Sequence, residues 1–213
     1  MAVRPAFCIS QNQKVIAKQI EFQWISGLSF QQKQKNADSL LEAVKNAYPE
    51  ANPLEISTRG RIELGVKLSA FNLKYQGYPL ECVYQSSKVF QHGKNYPDLL
   101  LKTPRDAKLD PRLQESGQLM AFYHDGITWA LEPKTAFYDY IYIRAVLESL
   151  KPDEIQQIKN YNYFTDIEFN PKTGFNTQAR TVAEIRLMLE LYDRIPLYTR
   201  QEFITFYQNY IAD

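Results

Sequence analysis

The chain has 213 residues, a length that suits one domain with a sizeable core, and no Gly-, Ser- or Pro-rich stretch divides it. Its 25 Lys and Arg nearly balance its 24 Asp and Glu, so attraction to nucleic acid would need a local basic patch. Neither a signal-peptide-like N-terminus nor a run of about 18 apolar residues occurs, so we expect a cytoplasmic protein that does not span a membrane.

The N-terminal half predicts short strands followed by helices. Residues 3–24 alternate apolar and polar side chains and read as extended segments of a small sheet. Residues 29–48 have apolar side chains at helical spacing, and Pro49 closes this helix. Residues 73–80 contain a Gly and a Pro that suggest a hairpin or tight turn. Residues 81–90 are expected to form a further helix.

The C-terminal half predicts one hairpin among several helices. Thr103 caps a short helix that has a Pro in its first turn. The alternating segment 119–131 folds back at Asp125-Gly126, a strong hairpin signal. Further helices are expected over residues 135–150, 152–160, 181–191 and 199–211. We therefore predict a helix-rich α+β fold with a small β-sheet or hairpins, formed by one domain over residues 1–213.

One set of polar residues has a regular spacing. Glu81, Tyr84, Gln85 and Lys88 recur at i, i+3, i+4 and i+7, which would place all four on one face of a helix. Taken alone, this pattern is also that of a solvated surface carrying a pair of opposite charges. The pattern by itself leaves both interpretations open.

Together with its surroundings, this spacing resembles the signature of the NADAR family of YbiA-like N-glycosidases. The signature elements appear in order as Leu-Ser-Ala-Phe-Asn at 68–72, a glycine turn at 77 and Glu-x-x-Tyr-Gln-x-x-Lys at 81–88. Further counterparts lie at 103–112 and 166–180, so the likeness covers roughly residues 68–188. It implies a single NADAR-like domain. The ligand-binding residues that it implies are Ser69, Phe71, Asn72, Tyr84, Gln85, Arg105, Phe169 and Asn176.

The resemblance implies three catalytic candidates, Glu81, Lys88 and Asp166. Cleavage of a bond from ribose C1″ to nitrogen passes through an oxocarbenium-like transition state, which a carboxylate such as Glu81 can stabilise while it activates water. Lys88 would either capture C1″ as an imine or contact the pyrophosphate. Asp166 is either a second catalytic carboxylate or the cap of a turn.

The C-terminal motif departs from the usual family pattern. Phe169-Asn170 stands where Trp-Gly is usual, and Ala179 stands where a second glycine is expected. With its flanking segments, this variant resembles the antitoxin branch that accompanies DarT-type toxins. In that branch the toxin transfers ADP-ribose from NAD to the guanine amino group of DNA, and the NADAR protein hydrolyses the link. The partners implied are ADP-ribosylated DNA, ADP-ribose and a DarT-type toxin. The toxin is implied as a genetic partner, and direct physical binding to it stays open.

Two alternative functions stay open. One is an N-glycosidase acting on a phosphorylated riboflavin-pathway intermediate, the other activity of the family. The second is a non-catalytic antitoxin that binds its toxin directly.

The basic residues expected to contact nucleic acid are Lys33, Lys35, Arg59 and Arg61, although a solvated basic face would have the same composition. The two histidines and two cysteines have no metal-ligand spacing, and no Gly-x-Gly-x-x-Gly or Walker-type loop occurs. We therefore expect neither a metal nor a cofactor.

Overall fold

A computed structural model describes residues 1–170, 174 and 178–211. The chain divides into two compact units: the first unit is Met1–Ser69 with Leu150–Asp213, and the second unit is Ala70–Ser149. Helices predominate and small sheets accompany them, which confirms the predicted fold class. None of the helices in the described ranges has the length and apolar character needed to cross a membrane.

The strands and helices are numbered along the chain. The strands are β1 Ala2–Ile9, β2 Val15–Phe22, β3 Pro53–Glu55, β4 Lys74–Tyr75, β5 Tyr78–Pro79, β6 Lys88–Phe90, β7 Leu119–His124, β8 Ile127–Trp129 and β9 Tyr163–Thr165. The α-helices are α1 Phe30–Ala47, α2 Glu63–Lys67, α3 Leu80–Ser86, α4 Pro104–Lys108, α5 Arg112–Glu115, α6 Ala136–Ser149, α7 Pro152–Gln157, α8 Gln178–Tyr192 and α9 Arg200–Tyr210. Short 3-10 turns cover Gln91–Gly93, Pro97–Leu101 and Ile158–Asn160.

The first unit contains a four-stranded sheet of order β2-β1-β9-β3. Strand β1 pairs antiparallel with both β2 and β9, whereas β3 runs parallel to β9. Because the carboxyl ends of parallel strands lie at the same edge, the residues that follow β3 and β9 are brought together. In α/β sheets this kind of edge commonly holds ligands.

Both faces of this sheet are covered. Ala6 and Cys8 of β1 belong to one buried cluster with Leu40 and Val44 of α1, the helix whose N-terminus Ser29 caps. Successive residues of a strand point to opposite faces, so Phe7 points away from α1. It is buried too, and α8 packs against β1 and β9. The sheet is therefore packed on both faces, and this packing holds its edge rigidly in place.

The second unit is built from hairpins and helices. Strands β6, β7 and β8 form a three-stranded antiparallel sheet, and β4 with β5 forms a separate hairpin. The hairpin turns Gln76-Gly77 and Asp125-Gly126 have positive φ at both residues, as two-residue hairpin turns require. Glu148 of α6 accepts hydrogen bonds from the backbone N–H groups of the first of these turns, at 2.6 and 2.9 Å. Both predicted hairpins are confirmed.

The predicted helix over residues 81–90 is wrong in its second half. Helix α3 ends at Ser86, and Lys88 begins strand β6. The hydroxyls of Ser86 and Ser87 both donate to the carbonyl of Val83, at 3.1 and 2.7 Å, which occupies the acceptor of the last helical turn. After this the chain pairs with β7, where Lys88 lies opposite Phe122. The pairing with a distant strand outweighs local helical periodicity.

Candidate active site

Four signature residues of the second unit lie along α3 and just after it. We call Glu81, Tyr84, Gln85 and Lys88 the α3 cluster. Gln85 is buried, and its amide donates from Nε2 to Oε1 of Glu81 over 2.7 Å. The buried Oε1 of Gln85 has no hydrogen-bond partner among the described residues. The amide thus orients the half-buried carboxylate and keeps one acceptor available for a ligand.

Lys88 keeps its place in this cluster although it is not on the helix. Its Nζ lies 5.1 Å from the centre of the Tyr84 ring, a cation–π distance. Burial lowers the pKa of Lys88, the charge of Glu81 opposes this, and Lys108 lowers it further. Within the described part of the chain, no hydrogen bond or ion pair engages this amine. A partly desolvated amine beside a carboxylate is suited to nucleophilic attack or to phosphate binding.

The ring of Tyr84 is itself held by aromatic packing. It lies 5.4 Å from Phe122 and 5.3 Å from Tyr138, measured between ring centres. Phe122 in turn stacks on Phe137 of α6 at 4.6 Å. The cluster therefore rests on a rigid aromatic layer that joins β7 to α6.

The other ligand-binding candidates before and after α3 differ in exposure. Ser69, the last residue of the first unit, is fully buried, and its hydroxyl has no hydrogen-bond partner among the residues described. In the second unit Phe71 is 61% exposed, and Asn72 is exposed beside it in the chain. Arg105 is exposed in the first turn of α4. Their proposed contacts with a ligand stay predictions.

The first unit brings two carboxyl groups together at the edge where β3 and β9 end. Glu55 is 2% exposed and Asp166 is 7% exposed. Glu55 Oε1 accepts from Ser57 Oγ at 2.6 Å and from the backbone N–H of Ile167 at 2.8 Å, and its Oε2 accepts from Thr165 Oγ1 at 2.6 Å. We call Glu55 and Asp166 the buried carboxyl pair.

The environment of this pair favours a neutral Asp166. Burial raises the pKa of Asp166 well above its usual value, and the charge of Glu55 raises it further. A hydrogen bond with Gln178 and one from the backbone N–H of Glu168 lower it by less. Burial also raises the pKa of Glu55. The hydrogen bonds from Ile167, Ser57 and Thr165 act in the opposite direction but do not outweigh burial. A carboxyl group that keeps its proton can donate it.

Two of the predicted nucleic-acid contacts meet at one carboxylate beside this edge. Lys33 Nζ and Arg59 Nε each lie 2.9 Å from an oxygen of Glu168. Burial raises the pKa of Glu168, but the two cations outweigh it, and the net shift is downward. Glu168 therefore remains ionised and neutralises part of the positive charge of this patch.

The remaining two basic candidates lie on the outer surface. Arg61 is paired through two nitrogens with Asp38, with contacts of 2.7 to 3.0 Å. Lys35 is exposed on α1. The ion pairs of the basic residues reduce the local positive charge without removing it.

Two exposed aromatic rings accompany the basic residues, and the sequence analysis did not single them out. The Arg59 guanidinium lies 4.8 Å from the ring centre of Phe30, and that of Arg4 lies 5.5 Å from the Trp24 ring. Phe30 is 48% and Trp24 38% exposed. Exposed rings backed by arginines are suited to stacking on nucleobases.

The altered family motif follows Asp166. Phe169 is half-buried, and a Cβ on Gly174 would lie only 3.0 Å from its ring. Glycine at that position therefore allows the backbone to approach the ring closely. Asn176, another predicted ligand-binding residue, lies outside the described residues.

Sequence reasoning missed Glu55, although a signal was present. This residue is the one charged side chain in the apolar run Leu54-Glu55-Ile56, whose flanking residues are fully buried. A carboxylate in such a run must find donors or hold a proton. Among the described residues, no group of three His, Cys, Asp or Glu side chains could hold a metal ion.

The comparison with known families decides the relationship. The sequence matches the family model described as DarT1-associated NADAR antitoxin over residues 2–212. The chain belongs to this family. The match confirms the resemblance to NADAR proteins and to the DarT-associated branch, and it supports a role as antitoxin to a DarT toxin. No curated protein matched the sequence. The family model extends well beyond the signature at 68–188 and includes residues of both units.

Proposed function

We propose that this NADAR antitoxin is an ADP-ribosyl-guanine DNA hydrolase in the cytoplasm. It would cleave the bond between C1″ of ADP-ribose and the guanine amino nitrogen, and so reverse the modification made by a DarT-type toxin. The α3 cluster carries the proposal, because it combines a half-buried carboxylate with a partly desolvated amine that makes no hydrogen bond or ion pair within the described residues. These groups match what N-glycoside hydrolysis requires.

The reaction exchanges one bond at C1″ for another. The C1″–N bond breaks, its electron pair stays on the guanine nitrogen, and that nitrogen takes a proton. A water molecule adds to C1″ and loses a proton, giving ADP-ribose and an unmodified guanine amine. Glu81 is proposed to stabilise the positive charge at C1″ and to accept the proton of the water.

Lys88 has two proposed roles, which exclude each other at any one moment. As a nucleophile, its neutral amine would form an imine with C1″ of the opened ribose, and water would then release the sugar. As a cation, it would bind the pyrophosphate. The lowered pKa of Lys88 increases the neutral amine fraction and favours the first role.

Two features of the first unit support the DNA substrate. Asp166 is proposed as a second catalytic carboxylate, and burial raises its pKa well above the usual value. Lys33, Lys35, Arg59 and Arg61 are proposed to contact phosphates, and the exposed Trp24 and Phe30 rings lie on arginines of the same unit. Stacking of splayed bases on such rings favours single-stranded DNA.

The proposal is tested with a single-stranded oligonucleotide that carries one ADP-ribosylated guanine. Purified protein should release free ADP-ribose without added metal, and chromatography should resolve it from the DNA. Exposed Glu115 provides a matched control, since Glu115→Gln should keep the rate that Glu81→Gln loses.

Each other outcome contradicts the proposal in a definite way. Unchanged oligonucleotide at high protein concentration would exclude the hydrolase. If the protein then formed a stable complex with the toxin, direct neutralisation of the toxin would replace hydrolysis as the proposed function. If it cleaved a phosphorylated riboflavin-pathway intermediate instead, the alternative N-glycosidase activity would replace it.

A further inference from the structure

Two cations of the first unit share one carboxylate. Lys33 lies near the start of α1, Arg59 lies in the segment after β3, and Glu168 lies in the segment after β9. Lys33 Nζ and Arg59 Nε each lie 2.9 Å from a different oxygen of Glu168. Arginine often binds a carboxylate through two parallel hydrogen bonds, but here the lysine occupies the second oxygen. We call these three residues the ion triad.

The ion triad has donors that the carboxylate does not use. The Nη1 and Nη2 atoms of Arg59 make no hydrogen bond with any residue that the structure describes. The three side chains are between 24% and 30% exposed, so a ligand can reach them. A phosphodiester group also carries one negative charge, and its oxygens can accept from Lys33 and from several guanidinium nitrogens at once. The cations of the triad therefore suit a phosphate at least as well as they suit Glu168.

An exposed aromatic ring borders the ion triad. Phe30, the first residue of α1, precedes Lys33 by about one helical turn and is 48% exposed. The Arg59 guanidinium lies 4.8 Å from the centre of its ring. The first turn of α1 contains no acidic residue, so the positive end of the helix dipole is not neutralised there. Phosphate-binding cations beside an exposed ring match the two parts of a nucleotide.

A buried asparagine holds a second exposed ring beside the same helix. Asn36 of α1 accepts from the backbone N–H of Ile25 at 2.7 Å and donates to the carbonyl of Ile25 at 2.9 Å. These bonds fix the position of the neighbouring Trp24, which is 38% exposed and has the Arg4 guanidinium 5.5 Å from its ring centre. Two arginine-backed rings beside one helix suit the unpaired bases of a strand better than a single nucleotide.

We propose that the carboxylate of Glu168 occupies the position of a backbone phosphate of single-stranded DNA. When the strand binds, the phosphate replaces Glu168 on Lys33 and Arg59, and the base next to this phosphate stacks on Phe30. The inference rests on the proposed function, which supplies the DNA strand as the ligand. Because the phosphate must displace a carboxylate, Glu168 lowers the affinity of the protein for DNA.

Binding of an unmodified, fluorescently labelled oligonucleotide tests this exchange without turnover. Glu168→Gln should bind single-stranded DNA about fivefold more tightly, the scale set by exposed ion pairs. The tightening should disappear when Lys33→Gln and Arg59→Gln are also present, because Glu168 acts through these two cations. Glu190→Gln is the matched control, since it breaks the exposed pair between Glu190 and Arg186 at 2.9 Å in the same unit. Its affinity should equal that of the wild type.

Phe30→Leu separates base stacking from charge. Leucine keeps an apolar contact for Arg59 but has no flat ring, so the affinity for single-stranded DNA should fall about tenfold. The affinity for duplex DNA should stay unchanged, because paired bases are not available for stacking on Phe30. An equal loss of affinity for both forms would contradict the stacking role.

Several results would overturn the proposal. Unchanged, weaker or undetectable DNA binding by Glu168→Gln would do so, and so would a tightening that persists without Lys33 and Arg59. If the substitutions changed the affinity for free ADP-ribose but not for the oligonucleotide, the triad would bind the pyrophosphate and its assignment to the strand would be wrong. Failure of the wild type to release ADP-ribose from modified DNA would refute only the proposed function, because binding of unmodified DNA would still decide the exchange.

Discussion

Replacement of Lys88 separates covalent catalysis from phosphate binding. Its amine lies against the ring of Tyr84, and burial lowers its pKa despite the opposing charge of Glu81. Each unit by which the pKa falls raises the fraction of neutral amine at neutral pH about tenfold. The structure therefore favours a nucleophilic lysine, and we expect Lys88→Arg to lose about 10²-fold or more in turnover, because arginine keeps the charge but forms no imine.

The assay pairs turnover with chemical trapping. Borohydride added during the reaction should reduce an imine to a stable adduct of protein and ADP-ribose, and peptide mass spectrometry should place it on Lys88. Exposed Lys94 serves as the control, since Lys94→Arg should keep both turnover and trapping. ADP-ribose binding should persist in Lys88→Arg.

Two results would refute this reasoning. Retained turnover in Lys88→Arg, with no trapped adduct in the wild type, would exclude the imine and leave Lys88 as a phosphate contact. Unchanged binding and turnover in Lys88→Ala would remove Lys88 from the site altogether.

Three further predictions concern both units. Glu81→Gln should lower turnover about 10²-fold or more and keep ADP-ribose binding, because an amide cannot carry the proton. A near-normal rate would show that Glu81 is a surface residue without a catalytic role. Glu168→Gln should tighten binding of single-stranded DNA, because Lys33 and Arg59 lose the carboxylate that pairs with both. The salt dependence of binding should steepen by about one phosphate contact. Weaker binding would contradict this prediction. Single-stranded DNA should quench the fluorescence of exposed Trp24 but not of buried Trp129, so quenching that persists in Trp24→Phe would argue against stacking.

Local signals in the sequence predicted much of the fold. Thr103 caps a helix through its side chain as predicted, and Ser29 and Thr199 cap the helices that were expected to begin near residues 29 and 199. The Asp125-Gly126 pair formed the expected hairpin because both residues adopt positive φ. These features depend on a few neighbouring residues, so periodicity and turn chemistry suffice to find them.

Non-local pairing accounts for what the sequence could not predict. Lys88 has helical spacing from Glu81, yet it pairs with Phe122 in a sheet, and only the folded chain supplies that strand. In the same way, Glu55 lies in a three-residue strand too short to carry a periodic signal. Its position opposite Thr165, next to Asp166 in the chain, becomes visible only once β3 and β9 are paired.

The mass of the DNA product tests the central claim most directly. A single-stranded oligonucleotide with one ADP-ribosylated guanine is incubated with the wild-type protein, and the DNA strand is weighed by mass spectrometry. Cleavage of the bond from C1″ to nitrogen predicts the mass of the unmodified oligonucleotide, with intact ADP-ribose as the second product. A strand that keeps the full modification, or one that keeps a phosphoribosyl group after pyrophosphate cleavage, would contradict the account.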